Sequence, residues 1–258
     1  MLLLIDSGNT RIKWALVDPS QPPQADANQQ AAKWLASGAV LQTEIGSLAA
    51  SWQACAVSRA VVANVAGVDR AQRLAQVLSV ACTLPPSQIA WFASVAFAGG
   101  VRNGYGDPSQ LGCDRFASLI GARALFPAQR LIVATCGTAT TIDALDVDGH
   151  FLGGLILPGL GLMARSLAQQ TAQLPQIGDV FIAPPLFAVD TDAAIRSGCL
   201  AAQSGAITSA VHAHHDAQCI LSGGAAQFIA PHLTTSYRLI DNLVLLGLQV
   251  ATASTGLC

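Results

Sequence analysis

Short apolar blocks alternate with turn-forming clusters along the chain, and the period of the blocks shifts between strand-like and helix-like. Residues 2–5 and 12–17 are mostly Leu, Ile, Val, Trp and Ala, and Ser7-Gly8-Asn9-Thr10-Arg11 separates them. Two strands joined by a turn are predicted there. A polar stretch rich in Pro and Gln at 19–30 reads as a loop, and 39–45 and 59–66 supply two more strands. At 69–78 the period lengthens, with Leu74, Val77 and Leu78 on one face of a helix. A second helix is predicted over 113–125, with Phe116, Leu119, Ile120 and Ala124 on one side. The opening pattern then returns. A strand at 131–134 enters Cys136-Gly137-Thr138-Ala139-Thr140-Thr141, a second runs through 143–146, and Gly149-His150 turns the chain into 151–157. An Ala-rich helix at 193–214, a short strand at 219–221 ending in Ser222-Gly223-Gly224, and an apolar helix at 241–253 follow. A strand, a Gly/Thr turn and further strands thus precede helices twice. This predicts an α/β protein of two related lobes, joined near 115–128 and divided here as 1–118 and 119–258.

Composition narrows the class. Hydrophobic residues make up 52% of the chain and charged residues 11%, an ordered globular balance. The apolar stretch at 151–164 is too short to span a bilayer and is broken by four glycines and a proline. A buried strand running into a buried helix accounts for it. No basic segment precedes the first apolar run, and Asp6 interrupts that run early, so no secretory signal and no membrane partner are predicted and a cytoplasmic location is expected. The seven cysteines are scattered without a CxxC pair, as small buried hydrophobes would be. A net charge of −2 without a Lys/Arg run argues against nucleic acid as a partner. His212, His214 and His215 lie close together, but no Cys or second His cluster completes a metal set, and an exposed helix end explains them.

Four segments carry candidate chemistry. In Asp6-Ser7-Gly8-Asn9-Thr10 a buried strand delivers a carboxylate to its end, and a glycine lets backbone N–H groups approach a phosphate. An ordinary hairpin turn fits the same residues. Gly137-Thr138-Ala139-Thr140-Thr141, followed by Asp143, combines close backbone approach with hydroxyl donors, though a Thr-rich strand is the alternative. Two such turns, one per lobe, could hold a nucleotide triphosphate from both sides. Ser222-Gly223-Gly224 could expose backbone to adenine or ribose, or could be a strand-to-helix turn. No GxxxxGK[ST] and no GxGxxG occurs, which excludes the P-loop and Rossmann signatures. The fourth segment, from Tyr105 through Gly112 to Asp114 and Arg115, enters the helix between the lobes. There a carboxylate could accept a hydroxyl proton while a guanidinium holds an anion. Helix capping by Asp114 with Arg115 in solvent is the competing reading.

Together these segments resemble type III pantothenate kinases, of the acetate and sugar kinase/actin-like ATPase superfamily. DSGNTRIK resembles the first phosphate motif, and YGDPSQLGCDR the Tyr-xx-Pro-xx-Leu-Gly-x-Asp-Arg pantothenate segment. CGTATTID resembles the second phosphate motif, GGLILPG its continuation, TDAAIRSG a substrate segment, and SGG with DNLVLLGL the closing elements. The resemblance implies two ribonuclease-H-like lobes with a nucleotide cleft between them, and ATP-dependent phosphorylation of pantothenate. It implies ATP contacts from Asp6, Ser7, Gly8, Asn9, Thr10, Arg11, Ile12, Lys13 and Thr138. It places Tyr105, Gly112, Cys113, Asp114, Arg115 and Thr191 at pantothenate, with Asp114 as catalytic proton acceptor. Mg²⁺ would be held by Asp6, with Asp143 a second candidate ligand. The family is homodimeric and uses a monovalent cation, K⁺ or NH₄⁺, held in part by an Asp three residues before the phosphate-binding Thr. Here that position is Thr135, which puts cation binding in doubt. Other kinases of the superfamily, for sugars or acetate, and non-catalytic regulatory relatives are the competing readings.

Overall fold

The computed structural model describes residues 1–21, 34–53, 55–178 and 184–255. Most of the polar stretch expected as a loop at 19–30 lies outside them.

The first sheet is built around a strand apolar on both faces. In β1 (Leu2–Ser7) only Asp6 is more than marginally exposed, the pattern of a central strand. It pairs antiparallel with β2 (Arg11–Val17), and β2 pairs antiparallel with β3 (Ala36–Leu41). A short helix α1 (Leu48–Trp52) leads to β4 (Arg59–Asn64), parallel to β1, and helix α2 (Val68–Cys82) to β5 (Ile89–Trp91), parallel to β4. The strand order is β3-β2-β1-β4-β5. Leu3, Ile5, Ile12 and Trp14 pack on one face against Trp52, Leu74 and Leu78, with Trp14 and Trp52 edge-to-face at 6.1 Å. A small hairpin, β6 (Phe97–Ala98) and β7 (Val101–Arg102), precedes helix α3 (Cys113–Leu125).

Two details differ from the sequence reading. The third strand ends at Leu41 rather than continuing to 45. From Gln42 the chain forms a 3₁₀ turn, Gln42–Ser47, because Gln42 bonds back to the β1–β2 turn and Ile45 enters the core. The β6–β7 hairpin was not anticipated, although its Gly99-Gly100 turn, with φ of 54° and 78°, is the residue pair that a type I′ turn favours.

The second sheet repeats the plan. Strands β8 (Leu131–Cys136), β9 (Ala139–Leu145) and β10 (Phe151–Pro158) are followed by helix α4 (Leu160–Gln170) and the long helix α5 (Thr191–Ala213). Strand β11 (Gln218–Ser222), the single-turn helix α6 (Ala226–Ile229) and strand β12 (Tyr237–Leu239) complete it. The order β10-β9-β8-β11-β12 matches that of the first sheet, with an antiparallel β8–β9 pair and parallel β8–β11 and β11–β12 pairs. Ile132, Ala134, Ile142 and Leu221 pack against Ile195, Cys199 and Ile207 of α5 and Leu160 of α4. The duplicated plan read from the sequence is therefore an α/β fold of two lobes.

The last helix, α7 (Leu243–Thr255), covers the second face of the first sheet, where Val244, Leu245 and Leu248 meet Leu2, Leu4, Val61 and Ala117 of α3. Of the described residues, Met1–Ala128, Gly149–Phe151 and those from Asn242 onward form one compact unit, and Gln129–Asp148 with Leu152–Asp241 the other. This differs from a division into 1–118 and 119–258. Helix α3 continues unbroken past 118, and the C-terminal helix returns to pack on it.

Candidate functional site

In the first unit, β1 places Asp6 opposite Lys13 of β2 and Ala63 of β4. The turn beyond is closed by Gly8 N–H donating to Arg11 O at 3.1 Å, and Arg70 Nη1 donates to Asn9 O at 2.6 Å. Gln42, which the sequence reading passed over, donates through Nε2 to Gly8 O at 2.7 Å and Ser7 Oγ at 3.2 Å, and through its backbone N–H to Thr10 O at 2.9 Å. Ser7 and Ile12 are buried, while Asn9, Thr10 and Arg11 are exposed.

The segment from Asn103 to Arg115 belongs to the same unit. Asn103 braces it, accepting from Tyr105 N at 3.0 Å and donating to Pro108 O at 3.1 Å. Asp107 caps a 3₁₀ turn by accepting from Ser109 N and Oγ at 3.0 and 2.7 Å, bonds that hold its carboxyl below the usual range. Gly112 occupies the N-cap of α3, and a Cβ there would stand 2.7 Å from Asp114 Oδ1. Asp114 accepts from Arg115 N at 2.8 Å, as an acid at a helix start does. Arg115 does not follow the capping alternative. It is 7% exposed, with its guanidinium carbon 5.9 Å from the Tyr105 ring centre and 5.8 Å from that of Phe151, and Nη1 donates to Tyr105 Oη at 3.2 Å. Phe151 was also passed over. Its contribution comes from 36 residues beyond Arg115, and no local pattern announces it. Cys113 Sγ donates to Asn64 O at 3.6 Å, and burial pushes its thiol up to about 11, so it is a neutral wall rather than a nucleophile.

Asp6 and Asp114 are two carboxyls of this unit whose proton affinities are raised. Burial raises Asp6 to about 6; the Lys13 charge opposes the rise, and the Asp114 charge adds to it. Burial also raises Asp114, against the Arg115 N–H and charge. Asp6, Lys13, Cys113 and Asp114 are thus brought together. Two acidic groups held at raised proton affinity are a donor set that a divalent cation relieves, so Asp6 fits a Mg²⁺ ligand. Asp143, on β9 opposite Val133 in the second unit, is 1% exposed.

In the second unit, the Gly137-Thr138 turn is held by two neighbouring junctions. Gly159 N–H donates to Thr138 O at 3.0 Å, and Ala225 N–H donates to Cys136 O at 3.1 Å. A Cβ on Gly159 would collide with Gly137 O, and one on Gly223, whose φ is 94°, with Cys136 O. Gly223 is therefore demanded by the strand-to-helix packing. Thr135 sits mid-sheet between Thr141 of β9 and Ser222 of β11, a row of neutral hydroxyls. Thr191 is the exposed first residue of α5, and its neighbour Asp190 is the cap, accepting from Ala193 N at 2.8 Å. Among the described residues no group of three His, Cys, Asp or Glu side chains gathers for a metal, and His214 Nε2 bonds Leu145 O at 3.0 Å.

A sequence profile described as type III pantothenate kinase matches residues 2–213. A type III pantothenate kinase of Janthinobacterium sp. (strain Marseille) is 54% identical over 255 residues, covering 96% of each chain. One from Herminiimonas arsenicoxydans is 51% identical over 262 residues, covering 99% of this chain and 98% of its own. Among solved structures, a candidate 2-dehydro-3-deoxygalactonokinase from Sinorhizobium meliloti aligns with TM-score 0.61 at 14% identity over 98% of both chains. A candidate Baf family transcriptional activator from Campylobacter jejuni aligns with TM-score 0.55 at 16% identity, over 97% of this chain and 96% of its own. At these identities the structural likeness is one of fold.

Proposed function

The chain belongs to the type III pantothenate kinase family, and from that premise we propose how its residues carry phosphoryl transfer from ATP to pantothenate, the opening step of coenzyme A biosynthesis. The single observation that supports the assignment of roles is the placing of Asp6 at the end of β1, beside a phosphate-type turn, and of Asp114 in the first turn of α3, where it accepts from Arg115 N. Phosphoryl transfer depends mainly on alignment and charge neutralisation. Asp114 accepts the proton of the primary hydroxyl as its oxygen bonds to the γ-phosphorus and the bond to the β–γ bridging oxygen breaks, releasing ADP. The turn from Asp6 to Lys13 donates to the nucleotide, a role that the family resemblance extends to Thr138. Tyr105, Gly112, Cys113 and Arg115 line the pantothenate side, with the Arg115 guanidinium meeting the carboxylate. Thr191 is a further pantothenate contact by the family resemblance, and α5 takes its cap from Asp190 instead. Mg²⁺ held at Asp6 would supply charge neutralisation at the β- and γ-phosphates. Purified protein given ATP and Mg²⁺ should phosphorylate pantothenate and leave simple sugars and acetate unchanged; the reverse preference would overturn the acceptor assignment.

The monovalent cation fits these residues poorly. Thr135, Thr141 and Ser222 offer neutral hydroxyls where the family pattern has a carboxylate, and a carboxylate attracts a bare cation far more strongly. Turnover in a buffer of large organic cations should therefore change little when K⁺ is added, and Thr135→Asp should create a K⁺ response. A strong K⁺ requirement in the unaltered protein would show that neutral oxygens suffice.

A homodimer is the proposed assembly. The second unit leaves Leu152, Leu155 and Ile156 of β10 and Leu162 and Leu167 of α4 exposed, as it does Leu186, Phe187 and Val189 ahead of α5. Single exposed apolar residues are ordinary, but this many in one unit support a covered surface. Sedimentation equilibrium should report two copies, and Leu152→Asp with Ile156→Asp should report one. A single copy at micromolar concentration before substitution would end the proposal. Buried thiols at Cys136, Cys199 and Cys219 support a reducing, cytoplasmic compartment, and among the described residues no helix is long and apolar enough to cross a membrane.

A further inference from the structure

A glycine-containing turn that must present N–H groups to a phosphate has a difficulty of its own. Gly8 carries no side chain to restrict it, Asn9 and Thr10 are exposed, and glycine gives up more backbone freedom than any other residue when it is ordered. The turn contains one backbone bond of its own, Gly8 N–H to Arg11 O. From outside it, Arg70 Nη1 holds Asn9 O at 2.6 Å at the exposed side, and one buried residue holds the inner side. Gln42 stands where β3 gives way to its 3₁₀ turn, and it reaches three of the turn residues. Its side-chain amide uses both hydrogens, on Gly8 O at 2.7 Å and Ser7 Oγ at 3.2 Å, while its backbone N–H takes Thr10 O at 2.9 Å.

The geometry of the peptide unit turns this anchoring into a functional statement. Gly8 C=O and Asn9 N–H belong to one planar unit, and no peptide among the described residues is cis. In a trans unit the carbonyl and the N–H point in opposite directions. Drawing Gly8 O inward onto Gln42 therefore turns Asn9 N–H outward, toward the exposed side of the turn. We infer that Gln42 is a positioning residue for the nucleotide: its amide fork fixes the Gly8–Asn9 peptide so that Asn9 N–H is already aimed at a phosphate oxygen before ATP arrives. The inference rests on the reading of the Asp6–Lys13 turn as an ATP contact, and it adds a residue 29 positions beyond that segment.

Two substitutions separate the donors from the bulk. Gln42→Met keeps the length of the side chain and removes both N–H groups. Gln42→Glu keeps the shape and sets an acceptor against the Gly8 carbonyl. Calorimetric binding of Mg²⁺ with a non-hydrolysable ATP analogue, without pantothenate, reads the nucleotide alone. Each variant is expected to bind it about tenfold more weakly, the size of one lost hydrogen bond to a charged group. The KM for pantothenate should stay within about twofold. Equal weakening for nucleotide and pantothenate, with a lower Tm, would make Gln42 a mere prop of the fold, and unchanged nucleotide binding would overturn the inference outright. Should either variant fail to fold, amide exchange by NMR on the unaltered protein decides. Asn9 N–H should exchange freely alone and slow when the analogue saturates, and an Asn9 amide indifferent to nucleotide would contradict the assignment. Because these readouts need no acceptor, a protein that binds nucleotide but leaves pantothenate untouched would refute the acceptor reading without touching the role of Gln42.

Discussion

Asp114→Asn should leave a folded protein that binds both substrates and turns over roughly 10²–10⁴-fold more slowly, the usual worth of general-base assistance. The substitution keeps shape, and the amide oxygen can still accept from Arg115 N, so a role in starting α3 would survive it. Loss of turnover without loss of Tm therefore isolates proton acceptance. A variant retaining more than about a tenth of the original turnover would reduce Asp114 to a helix-start acid. The same variant carries a pH signature. The Asp114 charge is one of the causes that raise Asp6 to about 6. Metal and nucleotide need Asp6 ionised, so their binding should strengthen as pH rises through about 6. The sign for unliganded stability is opposite: a carboxyl raised on folding favours the folded state below that value and loses the contribution as pH climbs through it. In Asp114→Asn the acid limb of Mg²⁺-nucleotide binding should move to lower pH, because a neighbouring negative charge is gone. An unmoved limb would mean that the two carboxylates act independently.

What the sequence revealed followed the range of the interactions involved. Both strand–turn–strand motifs were legible because period-2 burial and turn residues are local properties, and helices α3 and α5 were legible because apolar spacing is local too. The duplicated sheet order was legible only as a repeated sequence of elements. The end of β3 was misread because a single long-range amide, Gln42 to Gly8, outweighs the strand propensity of residues 43–45. That the C-terminal helix belongs with the first unit was not legible, because α7 finds its partner surface on α3 from the far end of the chain. At the site, Asp6, Asp114 and Arg115 stand in motifs dense enough to be recognised. Phe151 and Gln42 act on those motifs from remote positions, through contacts that only the folded chain creates. Ser222-Gly223-Gly224 shows the converse. Its first glycine, Gly223, looks like ligand-facing backbone in sequence, yet the left-handed φ and the Cys136 carbonyl behind it are reasons internal to packing.

Arg115 gives the second large effect, and its surroundings say why lysine cannot replace it. The guanidinium lies near the Tyr105 and Phe151 rings, each within 6 Å of its central carbon, and the rings themselves are 5.5 Å apart. A planar cation can stack flat there and still offer a fixed edge of N–H donors; an ammonium is a point charge on a flexible stem and cannot do both at once. Breaking a desolvated charge contact costs about 2–5 kcal/mol, so Arg115→Lys should raise the KM for pantothenate roughly a hundredfold while nucleotide binding stays put. A fall in affinity alone would not separate carboxylate recognition from a collapsed wall. An acceptor in which the carboxylate is replaced by a neutral amide makes the distinction. The unaltered enzyme should lose most of its preference on that acceptor, and Arg115→Lys should then add little, because the contact it removes is already absent. Non-additivity of this kind measures the pair directly. If instead Arg115→Lys weakens the neutral acceptor by the same factor as pantothenate, the residue shapes the aromatic wall and does not read the carboxylate.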